Sequence, residues 1–312
     1  MPEHRVFVVG SINQDLMVST PVYPKLGETV HGHHVTPSPG GKGSNQAVAA
    51  ARLGAPTSMV GRVGSDAFGA AMLGALQDAG VDTLSVETIE ATQTGLAIVT
   101  HTDAGKNAII VMQGANQTLG PDDLAPLDAL EPGDVVVTQL EVPVPAVRRA
   151  LERAREAGAT TILNAAPAAD VAALLNVVDL LVVNEFEAGV VAGTETPTEA
   201  AARDAAARLA EEHDLTVVLT LGEAGAMVAH EGRRIDIPPF PVHAVDSTGA
   251  GDTFVGALAA FLALGHPLKD ACRWAGAAGA HACLHVGAQA GAPTQQDLAD
   301  RFGVGPARKD PR

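Results

Sequence analysis

The run Asp246-Ser-Thr-Gly-Ala-Gly-Asp252-Thr-Phe254 concentrates more reactive chemistry than any other stretch of this chain. Gly249 and Gly251 flank Ala250 in a turn that no Cβ crowds, so backbone N–H groups there can approach a ligand closely. The apolar segment that follows, Asp252 to Leu264, reads as a helix. Its unpaired first-turn N–H groups and the positive end of its dipole converge on one spot, which makes an anion site. Asp252 stands at that spot. A phosphoryl-transfer enzyme needs this pairing: N–H groups hold charge on the transferred phosphoryl, and a carboxylate takes the proton of the attacking hydroxyl. The ordinary alternative is an Asp that caps a helix after a Gly-rich turn. The completeness of the nine-residue run favours the catalytic reading.

A second glycine turn, Gly40-Gly41-Lys42-Gly43, opens a helix that begins with Ser44 and Asn45. Lys42 is one of only five lysines in the chain. Taken alone, a solvated loop lysine competes evenly with a functional one. Glu141, in Gln139-Leu-Glu141 just past a strand, lies where a ligand is expected, though a solvated loop Glu fits as well. Asn184-Glu-Phe-Glu187 follows an apolar strand and can be an Asn N-cap with acids in the first helical turn, a functional pair, or both.

Sharper alternatives fail. Neither Gly-Lys pair (41–42 or 105–106) has the upstream glycine of a Walker A loop. Gly249-Ala-Gly251 is followed by Phe254 where a dinucleotide fingerprint needs a third glycine. His281 and His285 lie at helical spacing with Cys283 nearby, but no second pair of ligands has zinc spacing. His31, His33 and His34 read as a solvated loop.

The elements that must position these residues alternate. Strands are expected at Arg5–Val9, Thr57–Gly61, Asp134–Thr138, Thr160–Asn164, Leu180–Val183 and Thr216–Thr220. Helices are expected between them at Gly43–Leu53, Ala67–Ala79, Pro145–Ala157 and Thr198–His213. That order argues a largely parallel sheet with helices on both faces and ligands beyond the strand C-termini. Two regions, about 13–36 and 94–113, carry the strand-like pieces Leu16–Ser19, Leu96–Thr100 and Ala108–Met112 without helices, and read as a small separate sheet. Residues 1–302 are read as one domain, with a disordered tail over 303–312.

Of the 312 residues, 46% are hydrophobic and only 3% aromatic, so Ala, Val and Leu must form the core. A net charge of −16 argues against nucleic-acid and acidic-membrane partners, which need basic patches. Two cysteines without C-x-x-C spacing, and a start that reads straight into a strand with no leader pattern, point to a reducing cytoplasm. The longest apolar helix falls short of the roughly 20 residues that span a bilayer.

Asp246–Phe254 resembles the C-terminal signature of the ribokinase-like (PfkB) carbohydrate kinases. Gly10-Ser-Ile-Asn13-Gln-Asp15, Gly27–Gly32 and Gly40–Ala50 resemble the family's N-terminal signature, and the likeness runs from about Val6 to about Leu298. It implies a three-layer α/β/α fold with a β-sheet lid over the sugar, through which two copies often pair as a homodimer. It implies an ATP-dependent kinase acting with Mg²⁺ on the primary 5-hydroxyl of D-ribose. Asn13, Asp15, Gly41, Lys42, Asn45 and Glu141 would contact the sugar, with Asp252 as base and Gly249, Ala250 and Gly251 as anion hole. Asn184, Thr220, Gly222, Gly225, Gly251 and Gly276 would lie by the nucleotide, and Glu187 would organise the Mg²⁺–phosphate network. A monovalent-cation loop, filled by K⁺, would use Asp246, Thr248, Ala282, His285, Gly287 and Gly291. There the chain departs from the family, with Cys283-Leu-His285 in place of a Val-Thr-Arg-like sequence and Gly291 where Ser is frequent. Deoxyribose, fructose-type, keto-deoxy sugar acid and adenosine kinases share this fold. A non-catalytic sugar sensor would also keep the sugar residues, but it would not need Asp252.

Overall fold

The computed structural model describes residues 4–305. Its main sheet has nine strands in the order β13-β12-β11-β10-β9-β8-β1-β4-β5. The parallel part comprises β1 (Val6–Val9), β4 (Thr57–Gly64), β5 (Val86–Ile89), β8 (Val135–Thr138), β9 (Thr160–Asn164), β10 (Leu180–Asn184) and β11 (Thr216–Thr220). Strands buried on both faces read as unbroken apolar runs, as Val6-Phe-Val-Val9 does. Successive side chains feed two cores: Val6 and Val8 one, Phe7 and Val9 the other. The first core lies under α1 (Lys42–Arg52), α2 (Ala67–Asp78), α6 (Ala250–Ala263), α7 (Leu268–Ala282) and α8 (Gln295–Phe302); the second lies under α3 (Val144–Glu156), α4 (Glu185–Val191) and α5 (Glu199–His213).

With so few aromatics, small residues set the helix spacing. A Cβ at Gly256 of α6 would come within 2.3 Å of the Gln46 carbonyl of α1, so these helices touch backbone to backbone. That contact brings the start of α1 against the start of α6, and hence Asn45 and Gln46 against Asp252.

The second sheet has four strands, β3-β2-β6-β7: β2 (Asn13–Thr20), β3 (His34–Gly40), β6 (Gly95–Thr102) and β7 (Asn107–Met112). Three of them coincide with the expected pieces. The fourth, β3, was not expected, because Pro37 and Pro39 cannot donate to a ladder. Both prolines are tolerated because β3 is an edge strand. His34 thus opens a strand instead of lying in a loop, while the exposed His33 Nε2 sits 3.2 Å from Asp103 Oδ1. The antiparallel strands β12 (Ala226–His230) and β13 (Arg233–Ile237) were also not expected; Arg233, Arg234 and Asp236 hide the apolar pattern of β13. Of the tail expected to be disordered, residues 306–312 lie outside the described residues, and Val304 packs against the first core. Among the described residues no helix is long and apolar enough to cross a membrane.

Candidate active site

Gly249 is the N-cap of α6, at φ 76°, a left-handed conformation that a side chain would strain. A Cβ there would also strike the Ala288 carbonyl at 2.5 Å. The Ala250 N–H is already donated to the Ser247 carbonyl at 3.2 Å. The free donors therefore differ from those expected: Gly249, Gly251 and Asp252 N–H find no acceptor among the described residues. Nothing lies within 4 Å of where a Gly251 Cβ would point, so the turn opens onto empty space. Asp252 does not cap the helix. Its carboxylate is buried, 8% exposed, and accepts from two α1 side chains: Gln46 Nε2 to Oδ1 at 3.1 Å and Asn45 Nδ2 to Oδ2 at 3.0 Å.

Asn45 of α1 donates to this carboxylate, and Asp15 of β2 and Lys42 of α1 lie within reach of its charge. Glu141 after β8 acts on both of them, and Asn13 opens β2 ahead of Asp15. Asn13 Oδ1 accepts from Asn116 Nδ2 at 2.7 Å, which leaves its amide N–H₂ available. Asp15 Oδ1 is buried and has no hydrogen-bond partner among the described residues. Burial first, then the negative charges of Glu141 and Asp252, push the Asp15 carboxyl up to about 7. Glu141 is not a solvated loop residue: its Oε2 accepts from Ser11 Oγ at 2.5 Å and from the Lys42 N–H at 3.0 Å, tying the glycine turn down. The Lys42 ammonium is held above its usual range by Asp252 first, against burial, with help from Glu141 and Glu187. Gly41 sits at the N-cap of α1.

Asp252 and Lys42 also border a cavity of about 140 Å³, lined by Asn184, Glu187, Thr220 and Gly251 among others. Asn184 and Glu187 form a reciprocal capping box: the Glu187 N–H donates to Asn184 Oδ1 at 2.8 Å, and the Asn184 N–H to Glu187 Oε2 at 2.9 Å. The capping alternative is therefore realised, and the same two residues line the cavity. Burial raises the Glu187 carboxyl against the opposing Asn184 hydrogen bond and Lys42 charge. A wider groove continues past Asn184, Thr220 and Gly222. Gly225, at the end of the same loop, packs on the Ile237 carbonyl. Gly276 stands on α7 beside Phe240 and lines neither cavity.

In the expected cation loop, Asp246 Oδ1 accepts from the Thr248 N–H at 2.9 Å and Oγ at 2.6 Å, and Oδ2 accepts from the Gly287 N–H at 2.9 Å. Burial alone would raise this carboxyl, but these three bonds outweigh it and hold it below its usual range. The Ala282 carbonyl accepts from the His285 N–H at 3.2 Å, and the Gly291 carbonyl faces His281 Nδ1 at 2.9 Å. Two of the expected carbonyl ligands therefore already have one partner each. Among the described residues no group of three or more His, Cys, Asp or Glu side chains is placed to hold a metal ion.

The sequence reading overlooked the amides that hold this cluster: Asn116, Gln46, Gln139, Asn164 and Gln289, whose Nε2 donates to Ser44 Oγ and Asn45 Oδ1 at 2.9 and 3.0 Å. The available signal was position. Asn164 ends β9 and Gln139 follows β8, at the sheet edge where ligands bind.

Residues 3–295 match the model of the pfkB family carbohydrate kinases. A ribokinase of Haemophilus influenzae is 37% identical over 292 residues, covering 93% of this chain and 95% of the relative. A deoxyribokinase of Salmonella typhi is 34% identical over 258 residues, covering 81% of this chain and 84% of its own. The structure of an Arabidopsis thaliana ribokinase complexed with ribose and ATP superposes with a TM-score of 0.88 at 32% identity, covering 95% of this chain and 98% of that one.

Proposed function

The chain belongs to the pfkB family of carbohydrate kinases, and on that premise we propose that it phosphorylates D-ribose at the 5-hydroxyl with ATP. The single observation carrying the chemistry is Asp252, buried between sugar-side amides and a helix start with free N–H donors. In this reading the ribose O5–phosphorus bond forms as the bond from phosphorus to ADP breaks, and the hydroxyl proton passes to Asp252. Gly249, Gly251 and Asp252 N–H groups hold the charge on the transferring phosphoryl. Lys42, charged and lining the same cavity, adds a fixed positive charge between donor and acceptor. Glu187 is a buried oxygen donor with Oε1 still free; it fits Mg²⁺, which offsets triphosphate charge when bound. ADP release with ribose, against 2-deoxyribose, fructose and adenosine, tests the assignment. Turnover confined to a sugar other than ribose overturns it.

Asp15 gives the sugar site a pH dependence. Ribose hydroxyls donate to the ionised carboxylate, so binding favours that form. Below about 7 the free site is protonated and must release that proton to bind. Ribose affinity should be flat above that pH and weaken below it by up to about tenfold per pH unit. Calorimetric titration across this range checks it. Asp15→Asn should flatten the profile, and an unchanged affinity in the native protein would count against the role.

The loop of Asp246 and Thr248 and the segment from Ala282 to Gly291 supply an ionised carboxylate and backbone carbonyls, donors suited to a hard monovalent cation. Asp246 tethers this segment through the Gly287 N–H, and Gly249 packs on Ala288, so ordering it steadies the anion turn. Activity should rise with K⁺ at constant ionic strength, and Asp246→Ala should lose that response. Equal rates in K⁺ and a bulky organic cation would remove the site from the reading.

Val35, Ile109, Ile110, Val111 and Met112 leave the second sheet with an exposed apolar surface, which fits pairing of two copies through this lid. The two cysteines are free, Cys272 buried and Cys283 half-buried, in keeping with a reducing cytoplasm.

A further inference from the structure

The proposed base has a dedicated holder behind it. Gln46 is fully buried, 0% exposed, and offers no surface to a ligand. Its Nε2 donates to Asp252 Oδ1 at 3.1 Å and to Asn164 Oδ1 at 3.1 Å. Its Oε1 accepts from Gln139 Nε2 at 2.6 Å.

The orientation of this chain follows from Asp252. An ionised carboxylate only accepts, so the Gln46 amide must turn its N–H₂ toward it. Gln46 Oε1 then faces Gln139, which must donate in turn. That leaves Gln139 Oε1 buried without a partner among the described residues, beside Gly10, where any Cβ would come within 2.0 Å of it. The direction of both amides is thus set by the carboxylate at the end of the chain.

We propose that Gln46 is a positioning residue: through the Gln139–Gln46–Asp252 amide relay it fixes the plane of the Asp252 carboxylate for proton transfer. This rests on the reading of Asp252 as base. Asn45, the other partner of Asp252, lies in the sugar-side turn and is itself held by Gln289. Gln46 has no such second task.

Two variants test it by steady-state kinetics. Gln46→Leu keeps the bulk and removes the donor. It should lower kcat by about tenfold, the rate equivalent of one hydrogen bond to a charged group, with KM for ribose and ATP within about threefold. Gln46→Glu keeps size and shape but sets a carboxylate against Asp252. The other charged groups facing this cluster are Asp15 from β2, Lys42 from α1, Glu141 after β8 and Glu187 from α4. When the introduced carboxyl gains a proton it can donate again, so its activity relative to the native enzyme should rise as pH falls from about 8 to about 6. A purely structural residue predicts otherwise: a lower melting temperature with kcat and KM unchanged or moving together, and a pH profile parallel to the native one. That outcome overturns the proposal. Should Gln46→Leu not fold, the Gln46→Glu profile decides alone, with ADP and ribose calorimetry showing that its site is intact. If the proposal fails while Asp252→Asn remains inactive, the base stands and only its holder is wrong.

Discussion

Asp252→Asn should cost about 10²–10⁴-fold in kcat, the usual cost of losing a general base, while ribose and ATP continue to bind. The substitution keeps the shape of the side chain and removes its ability to take the proton. The carboxylate receives donors at both oxygens, Gln46 at Oδ1 and Asn45 at Oδ2. An amide in its place must turn its own N–H₂ toward one of them, so one buried hydrogen bond is lost, at roughly 1–3 kcal/mol of stability. The variant should therefore melt somewhat lower and still saturate with both substrates in calorimetry. The split separates chemistry from assembly: the rate falls far more than binding does. A variant within a few-fold of native kcat would remove Asp252 from catalysis.

The second large effect concerns the sugar. Ribose should be preferred to 2-deoxyribose in kcat/KM by roughly one to two orders of magnitude, since an unmet buried polar group costs about 1–3 kcal/mol and about 1.4 kcal/mol is tenfold. Asp15 Oδ1 is the reason for expecting so much: it is buried, and no protein group among those described bonds to it. Asn13 and Asn45 are already anchored through their carbonyl oxygens, to Asn116 and Gln289, and so present fixed amides instead of mobile ones. A site whose polar groups are fixed cannot turn away from a missing hydroxyl. The Salmonella typhi deoxyribokinase at 34% identity makes this comparison the sharpest one between neighbouring activities. Equal efficiency on both sugars would show that the pocket is not tuned to the 2-hydroxyl.

Local chemistry was readable wherever neighbouring residues in sequence are neighbours in space. The Gly249–Asp252 turn and its helix were, because the glycines, the acid and the apolar run lie on one stretch. So were the strands from β8 to β11, whose apolar centres are buried and whose polar residues fall at their ends. The rest depends on distant pairing. β3 contains two prolines and becomes a strand only because β2 lies beside it. Gln46 and Asp252 are 206 positions apart, and nothing in a helical Gln announces the carboxylate that α6 will bring to it. Ala250 shows the limit of reading a motif by composition. All its residues were equivalent in sequence, yet the turn spends that one N–H on Ser247 and leaves the Asp252 N–H free instead.

The most direct measurement is the identity of the product. The protein is incubated with ATP and ribose, and the mixture is followed by phosphorus NMR correlated to the sugar protons. Phosphoryl transfer to the primary hydroxyl predicts ADP and a phosphate monoester in equal amounts, with the ester phosphorus coupled to the protons on C5. ADP formation that is indifferent to ribose, or an ester on any other hydroxyl, would contradict it.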